Sequence, residues 1–403
     1  MKKMTKFILK SLFVFIIVIE VAVGCDYKQE YSPEVQERIS SVENNLTPWT
    51  VSRRGPRWSL SQRMAFYNIK GLSIAVVHNY KIEWAKGYGW ADISENRLVT
   101  EKTLFQAASI SKKLNGIGIM KLVQDKKLDL NADINDYLKS WKFPYDEKAN
   151  NRKITTANLL SHTAGLNIHG FPGYEVNDTI PTLLQILDGE LPSNTEAIRS
   201  EEEPGIKVLY SGGGVTISQQ IVEDITKEPY ESFMQKNVLD PLGMSNSFFT
   251  QVPDKKSRKL MATGYYLNGE EVKGKYHIYP EQAAAGLWSN PIDLCLSVIE
   301  TQLSYLGKSD KVLSPDITRL RLTPVMQDAA LGVFVAEKGS SRFFTHNGGN
   351  TGFSCQLTAC LDEGNGVVIM TNSDNGSILE EIVNSVAITY KWKDYGLPVR
   401  KEN

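Results

Sequence analysis

Beginning at Gly71 the chain reads Leu72-Ser73-Ile74-Ala75-Val76-Val77, breaks at Asn79-Tyr80, and resumes as Ile82-Glu83-Trp84-Ala85-Lys86-Gly87-Tyr88. Two such runs, rich in β-branched and aromatic residues and parted by a short break, predict a β-hairpin. After Ser109 the period changes. Ile110, Leu114, Ile117, Met120 and Val123 recur three or four apart, which predicts a helix, and helical patterns separated by loops continue to about residue 300. Strand patterns return at 331–336, 342–346, 353–361 and 367–371, with Gly339, Gly348 and Gly364 near the turns, and a last helix is expected over about 378–390. Strands at both ends around a helical middle predict an α+β fold: a mixed antiparallel sheet built from both ends of the chain, with a helical subdomain at about 110–300 inserted between.

The first residues have a different pattern. Lys2, Lys3 and Lys6 precede an apolar run over 12–19 that ends in small residues before Cys25, which is the layout of a signal peptide over 1–25. Ala22-Val23-Gly24-Cys25 resembles a bacterial lipobox, with Cys25 as the lipidated first residue of the mature chain. Ala22 stands where a larger aliphatic residue is usual, and Glu20 places a charge at the end of the apolar run, so ordinary cleavage and an uncleaved anchor remain as alternatives. The run falls short of the roughly 20 residues that span a bilayer. Residues 26–64 are polar and contain Pro33, Pro48 and Pro56; they read as a tether, with room for a short helix within 34–45, leading into a globular domain over 65–403. The expected location is the bacterial cell envelope, with membrane contact through the lipid on Cys25.

Composition narrows the chemistry. Hydrophobic residues make up 41% and charged residues 23% of the 403 residues, with a net charge of −1; this is ordinary globular composition and argues against a nucleic-acid partner. Lys255, Lys256, Arg258 and Lys259 read as a solvated loop. After Cys25 only Cys295, Cys355 and Cys360 remain, an odd set that builds no disulfide framework, and Cys355 and Cys360, five apart on one strand, point to opposite faces. His78, His162, His169, His277 and His346 are scattered without metal-ligand spacing, so neither a metal nor another cofactor is expected.

Three short stretches carry candidate chemistry. Ser109-Ile110-Ser111-Lys112 is the only Ser-x-x-Lys in the chain, and on a helix this spacing sets hydroxyl and amine on one face, one turn apart. A serine at the helix start also meets free N–H groups and the positive end of the dipole. Alone, the tetrapeptide is no rarer than chance. Tyr210-Ser211-Gly212-Gly213 follows, on a glycine turn before a helix that starts near Val215; a phenol beside a cationic amine can serve as general base, although a half-buried structural tyrosine fits the local sequence as well. His346-Asn347-Gly348-Gly349 ends a late strand, where a glycine pair admits substrate close to the backbone. The N–H groups of Gly349 and Ser109 could then form an oxyanion hole.

Taken in order, Ser-x-x-Lys, Tyr-Ser-x and His-x-Gly resemble the three active-site motifs of the class C β-lactamase-related family, which includes class C β-lactamases, low-molecular-mass penicillin-binding D-alanyl-D-alanine peptidases, D-aminopeptidases and esterases. Stretches at 159–166, 238–244 and 286–289 add to the likeness, which spans about 71–390. It implies a β-lactamase/transpeptidase-like fold, Ser109 as acylated nucleophile, Lys112 and Tyr210 as a proton-shuttling pair, His346 facing substrate, and Gly349 as second oxyanion donor. Ser161 and His162 are then structural. Two departures stand out. Gly212 replaces an asparagine common two residues after the tyrosine, and His346 replaces the lysine usual in dedicated class C β-lactamases. The expected substrate is an ester or a D-amino-acid amide at the envelope; a peptidoglycan-derived peptide or a weakly hydrolysed β-lactam is the alternative, and a lipid-anchored binding protein or sensor without turnover is a third reading.

Overall fold

The computed structural model describes residues 31–47 and 57–396. The signal peptide expected over 1–25, with Cys25, and parts of 26–64 lie outside the described residues. Seven strands form one antiparallel sheet: β1 (Gly71–His78), β2 (Lys81–Asp92), β3 (Arg97–Leu98), β4 (Phe334–Lys338), β5 (Ser341–Asn350), β6 (Phe353–Cys360) and β7 (Gly366–Thr371), in the order β3-β2-β1-β7-β6-β5-β4. The first and last quarters of the chain meet where β1 pairs with β7, Ile74 opposite Ile369. The hairpin turn is the expected Asn79-Tyr80, at φ 51° and 61°; two positive φ values match the right-handed strand twist.

Alternation along the strands divides the core in two. Leu72, Ile74, Val76, Val367, Ile369 and Cys360 face α1 (Pro33–Asn44) and α7 (Ser377–Thr389). Ala75, Val77, Val368, Met370 and Cys355 face the helical region, which contains α3 (Ser111–Gln124), α4 (Gly212–Thr226), α5 (Gln282–Ala285) and α6 (Pro291–Tyr305). Cys355 and Cys360 do point to opposite faces, and Cys295, Cys355 and Cys360 are free, buried thiols. Helices continue to Arg321, beyond the expected limit near 300. Among the described residues no helix is long and apolar enough to cross a membrane.

One sequence expectation changes. The helix foreseen within 34–45 exists, but it is packed rather than part of a tether: Ile39 and Val42 are buried beside α7, and the Ser385 hydroxyl donates to the Val42 carbonyl at 2.8 Å. A second helix, α2 (Leu60–Phe66), joins this layer, where the Arg63 guanidinium pairs with Glu381, Nε to Oε2 at 2.7 Å. Val35, Ile39 and Val42 form an i, i+4, i+7 stripe on α1, but it stands alone in a polar stretch with prolines at 33, 48 and 56, which is why that stretch reads as a tether. The expected helix after Ser109 is α3, and its run from Ser111 to Met120 is buried without a break, so it is the central post of the helical region. Polar Lys113 and Asn115 survive there by bonding Ser297 at 2.7 Å and Ser218 at 2.9 Å, as buried polar groups must.

Packing of α1 into the core has a measurable consequence. Ile39→Ala should lower unfolding stability by about 2–5 kcal/mol, the usual cost of emptying an aliphatic core position, read from the urea midpoint; a loss below about 0.5 kcal/mol would restore the tether reading.

Candidate active site

Ser109 sits in a single 3-10 turn, Ala108–Ile110, that feeds directly into α3. The preceding Ala108 has φ 44°, a left-handed conformation that costs a non-glycine residue of order 1–3 kcal/mol and persists only where surroundings impose it. Those surroundings are specific. Ala107 N–H donates to Leu287 O at 2.8 Å, the Ser111 hydroxyl donates to Ala108 O at 2.6 Å, and Leu287 N–H donates back to that hydroxyl at 3.0 Å. The result is a half-buried serine held on a rigid knuckle.

One turn on, Lys112 is only 2% exposed. Its Nζ donates to Ser109 Oγ at 2.9 Å and to the Ala284 carbonyl, on α5, at 2.7 Å. The spacing argument therefore holds in three dimensions. The expected pairing with Tyr210 takes another form, because Nζ lies 5.2 Å from the centre of the Tyr210 ring, over its face in cation–π geometry.

Tyr210 immediately precedes α4. Gly212, Gly213 and Gly214 form the first helical turn rather than the expected glycine turn, because the Ser211 side chain caps the helix by accepting from Gly214 N–H at 2.9 Å. On either side of the tyrosine the backbone is pinned to one residue: Leu209 N–H donates to His162 O at 2.7 Å, and Ser211 N–H donates to His162 Nδ1 at 3.2 Å. The His162 ring also stacks on Tyr210, centroids 4.2 Å apart, while His169 lies 4.8 Å away on the rim. Ser161 and His162 had been assigned to loop architecture. That suits Ser161, whose hydroxyl donates to Ala157 O at 2.7 Å, but His162 is the residue that positions the tyrosine.

The third motif lies on β5, which continues straight through its glycines to Asn350. Gly348 is therefore not at a turn. A Cβ there would stand 2.7 Å from Ser109 N and 2.9 Å from Ala107 O, whereas one on Gly349 would meet nothing within 4 Å. Only glycine lets the strand backbone come so close to the nucleophile, and Gly349 next along opens onto free space with Asn347 exposed beside it. His346 is 1% exposed and shares the face of β5 that carries Gly348 to Ser109, so its ring forms the floor of the site, against Phe334 at 5.7 Å and Tyr210 at 6.5 Å. By strand alternation Asn347 points to the other face of the sheet, where its partner Gln356 bonds Glu380 of α7.

The buried groups below the cleft are held neutral. Burial, reinforced by the Lys112 charge, lowers the His346 pKa to about 3, and Nδ1 lies 2.7 Å from Asn347 O. That leaves Nε2 as an acceptor without a protein partner. The same two causes take His162 well below the ordinary histidine range. Glu281, just before α5, has no side-chain partner among the described residues, and burial raises its pKa to about 8. Sequence carried no signal for Glu281, for the Ala284 carbonyl or for Phe334, whose roles come only from contacts across the fold.

For His346 the sign follows from linkage. A histidine whose folded pKa is depressed binds its proton in the unfolded chain first, so stability is present above the unfolded value near 6.5 and is lost as pH falls toward 3. His346→Gln should flatten the decline of unfolding free energy between pH 6.5 and 4 by up to about 1.4 kcal/mol per pH unit, measured by urea titration at each pH; an unchanged slope would show that His346 is protonated in the folded protein.

Comparison with known proteins bears on family and fold. Residues 59–382 match the protein-family model described as Beta-lactamase. Protein flp of Staphylococcus aureus strain N315 is 26% identical over 337 residues, covering 80% of this chain and 64% of that protein, so the chain spans just under two thirds of that relative's length. The D-amino acid amidase of Ochrobactrum anthropi SV3, solved with L-phenylalanine amide, superposes with a TM-score of 0.68 at 19% identity, over 89% of this chain and 99% of that one. The octameric penicillin-binding protein homologue from Pyrococcus abyssi gives 0.66 at 19% identity, over 82% and 75%. At such identities the two structures speak for the fold alone: an antiparallel sheet from both chain ends with helices between.

Proposed function

Since the chain belongs to the beta-lactamase family, we propose that it is a serine acyl hydrolase that works through an acyl-enzyme on Ser109, acting on an ester or a D-amino-acid amide. The observation that carries this reading is the 2.9 Å contact from Lys112 Nζ to Ser109 Oγ, on a serine exposed enough to meet substrate. Ser109 Oγ attacks the carbonyl carbon and gives its proton to the Lys112 and Tyr210 pair. Charge on the carbonyl oxygen is taken up by the Ser109 and Gly349 N–H groups. The bond to the leaving alcohol or amine then breaks, the shuttled proton moves to that group, and water repeats the sequence to release acid and free serine.

A neutral His346 supports an acceptor in the third motif where a lysine would place a cation, which argues for uncharged ester or amide substrates over carboxylate-bearing β-lactams. The pattern ending at Cys25 supports an exported, lipid-anchored protein at the cell envelope.

Intact-mass analysis after exposure to a fluorophosphonate tests the reading. One adduct is expected on the wild-type protein and none on Ser109→Ala, with turnover of an ester and D-amino-acid amide panel lost by about 10³-fold or more in that variant. A folded wild-type protein that takes no adduct would instead favour a binding protein or sensor. Ser109-dependent labelling by a fluorescent penicillin would move the assignment to a penicillin-binding peptidase.

A further inference from the structure

One segment at the cleft is held in place by more bonds than its length requires. Residues 169–172 run from the first turn of α4 to the end of β5. At one end Gly212 N–H donates to His169 O and Gly213 N–H to Ile168 O, both at 3.0 Å, and the Ser211 hydroxyl donates to Asn167 O at 2.6 Å. At the other end the carbonyl of Pro172 gathers His277 Nδ1 at 2.9 Å, Thr351 Oγ1 at 3.2 Å and Tyr279 Oη at 3.3 Å. Thr351 directly follows the third-motif strand, so the segment ties together the two elements that carry Tyr210 and the Gly348-Gly349 pair.

Gly212 is what admits this arrangement. A Cβ at that position would stand 3.1 Å from His169 O, 3.2 Å from Phe171 Cε2 and 3.5 Å from Gly170 Cα. A Cβ there would need the segment to give by a few tenths of an ångström, and a longer side chain by more. The half-buried Phe171 ring thus occupies the space that a residue at 212 would otherwise fill, two positions after the tyrosine.

We propose that 169–172 is a fixed strap over the cleft and that Phe171 is a specificity-determining residue, which restricts the site to esters or amides with a short, slender acyl group. The proposal rests on the serine hydrolase reading and deepens it. The acyl group is the part of the substrate retained on Ser109, and it lies with its carbonyl between Ser109 and β5, under the strap that ends at Thr351. A rigid aromatic edge at that place excludes a long or branched chain while leaving the chemistry at the carbonyl untouched, and one or two methylenes of mismatch are enough to change selectivity by an order of magnitude.

The test compares p-nitrophenyl acetate with p-nitrophenyl octanoate in wild-type protein, Phe171→Ala, Phe171→Leu, Gly212→Ala and Gly170→Ala. The octanoate-to-acetate ratio of kcat/KM should rise about tenfold in Phe171→Ala and less in Phe171→Leu. Gly212→Ala should raise it too, by displacing the strap. Gly170→Ala is the internal control, because a Cβ there meets nothing within 4 Å, and its ratio should stay within about twofold of wild type. Should Phe171→Ala fail to fold, Phe171→Leu and Gly212→Ala still decide the matter. Ser109-dependent turnover with an unchanged ratio in these variants would overturn the strap alone. A changed preference for the leaving group, measured with acetates of different phenols, would overturn the acyl assignment. Absence of any turnover or fluorophosphonate adduct in the wild type would remove the hydrolase reading and the strap with it.

Discussion

A lysine amine almost wholly out of water has to be satisfied by oxygen atoms placed for it, and that demand organises the site. Lys112 receives one oxygen from Ser109 and one from Ala284, the first a turn away on its own helix and the second 172 residues along the chain. Holding the second requires α5 to lie against α3, and so requires the intervening helical region to fold back on its own starting point. Around the amine the buried imidazoles of His162 and His346 lose their protons, and Glu281 nearby in the fold keeps its own. Few charges compete with Lys112 in its low-dielectric surroundings, where an unpaired second charge would be costly.

The sheet supplies the remaining constraint. Because β5 is fixed by its register with β6, Leu357 opposite His346 and Ser354 opposite Gly349, its inward and outward positions cannot be exchanged. A slip of one residue would turn His346 away from Tyr210 to the α7 face of the sheet and put Asn347 against the helical region. The same register brings Gly348 against the backbone of Ser109, where the absence of a side chain is needed. Nucleophile, amine and strand are thus located by three different elements whose mutual positions depend on the whole helical insertion being in place.

Much of this was legible in the sequence. The hairpin at Asn79-Tyr80, the strands of the last quarter and the start of α3 all follow from local periodicity, and the Ser109–Lys112 relation follows from helical geometry alone. Other features were misread for identifiable reasons. Helix α1 shows a single short stripe, Val35, Ile39 and Val42, within a polar stretch, and Gly212 to Gly214 look like a turn until the Ser211 cap and the bonds to Ile168 and His169 are seen.

What the sequence by itself determined is therefore the order of elements and the identity of the reacting pair, both set within a few residues of backbone. Tertiary structure alone decided that the Ala284 carbonyl would hold Lys112, that His162 would pin both flanks of Tyr210, and that Phe171 would fill the place left open at Gly212. Each of these is a contact between atoms far apart in the chain. A backbone carbonyl or a missing Cβ has no signature in sequence, because every residue has the one and any glycine offers the other; only packing gives them a partner.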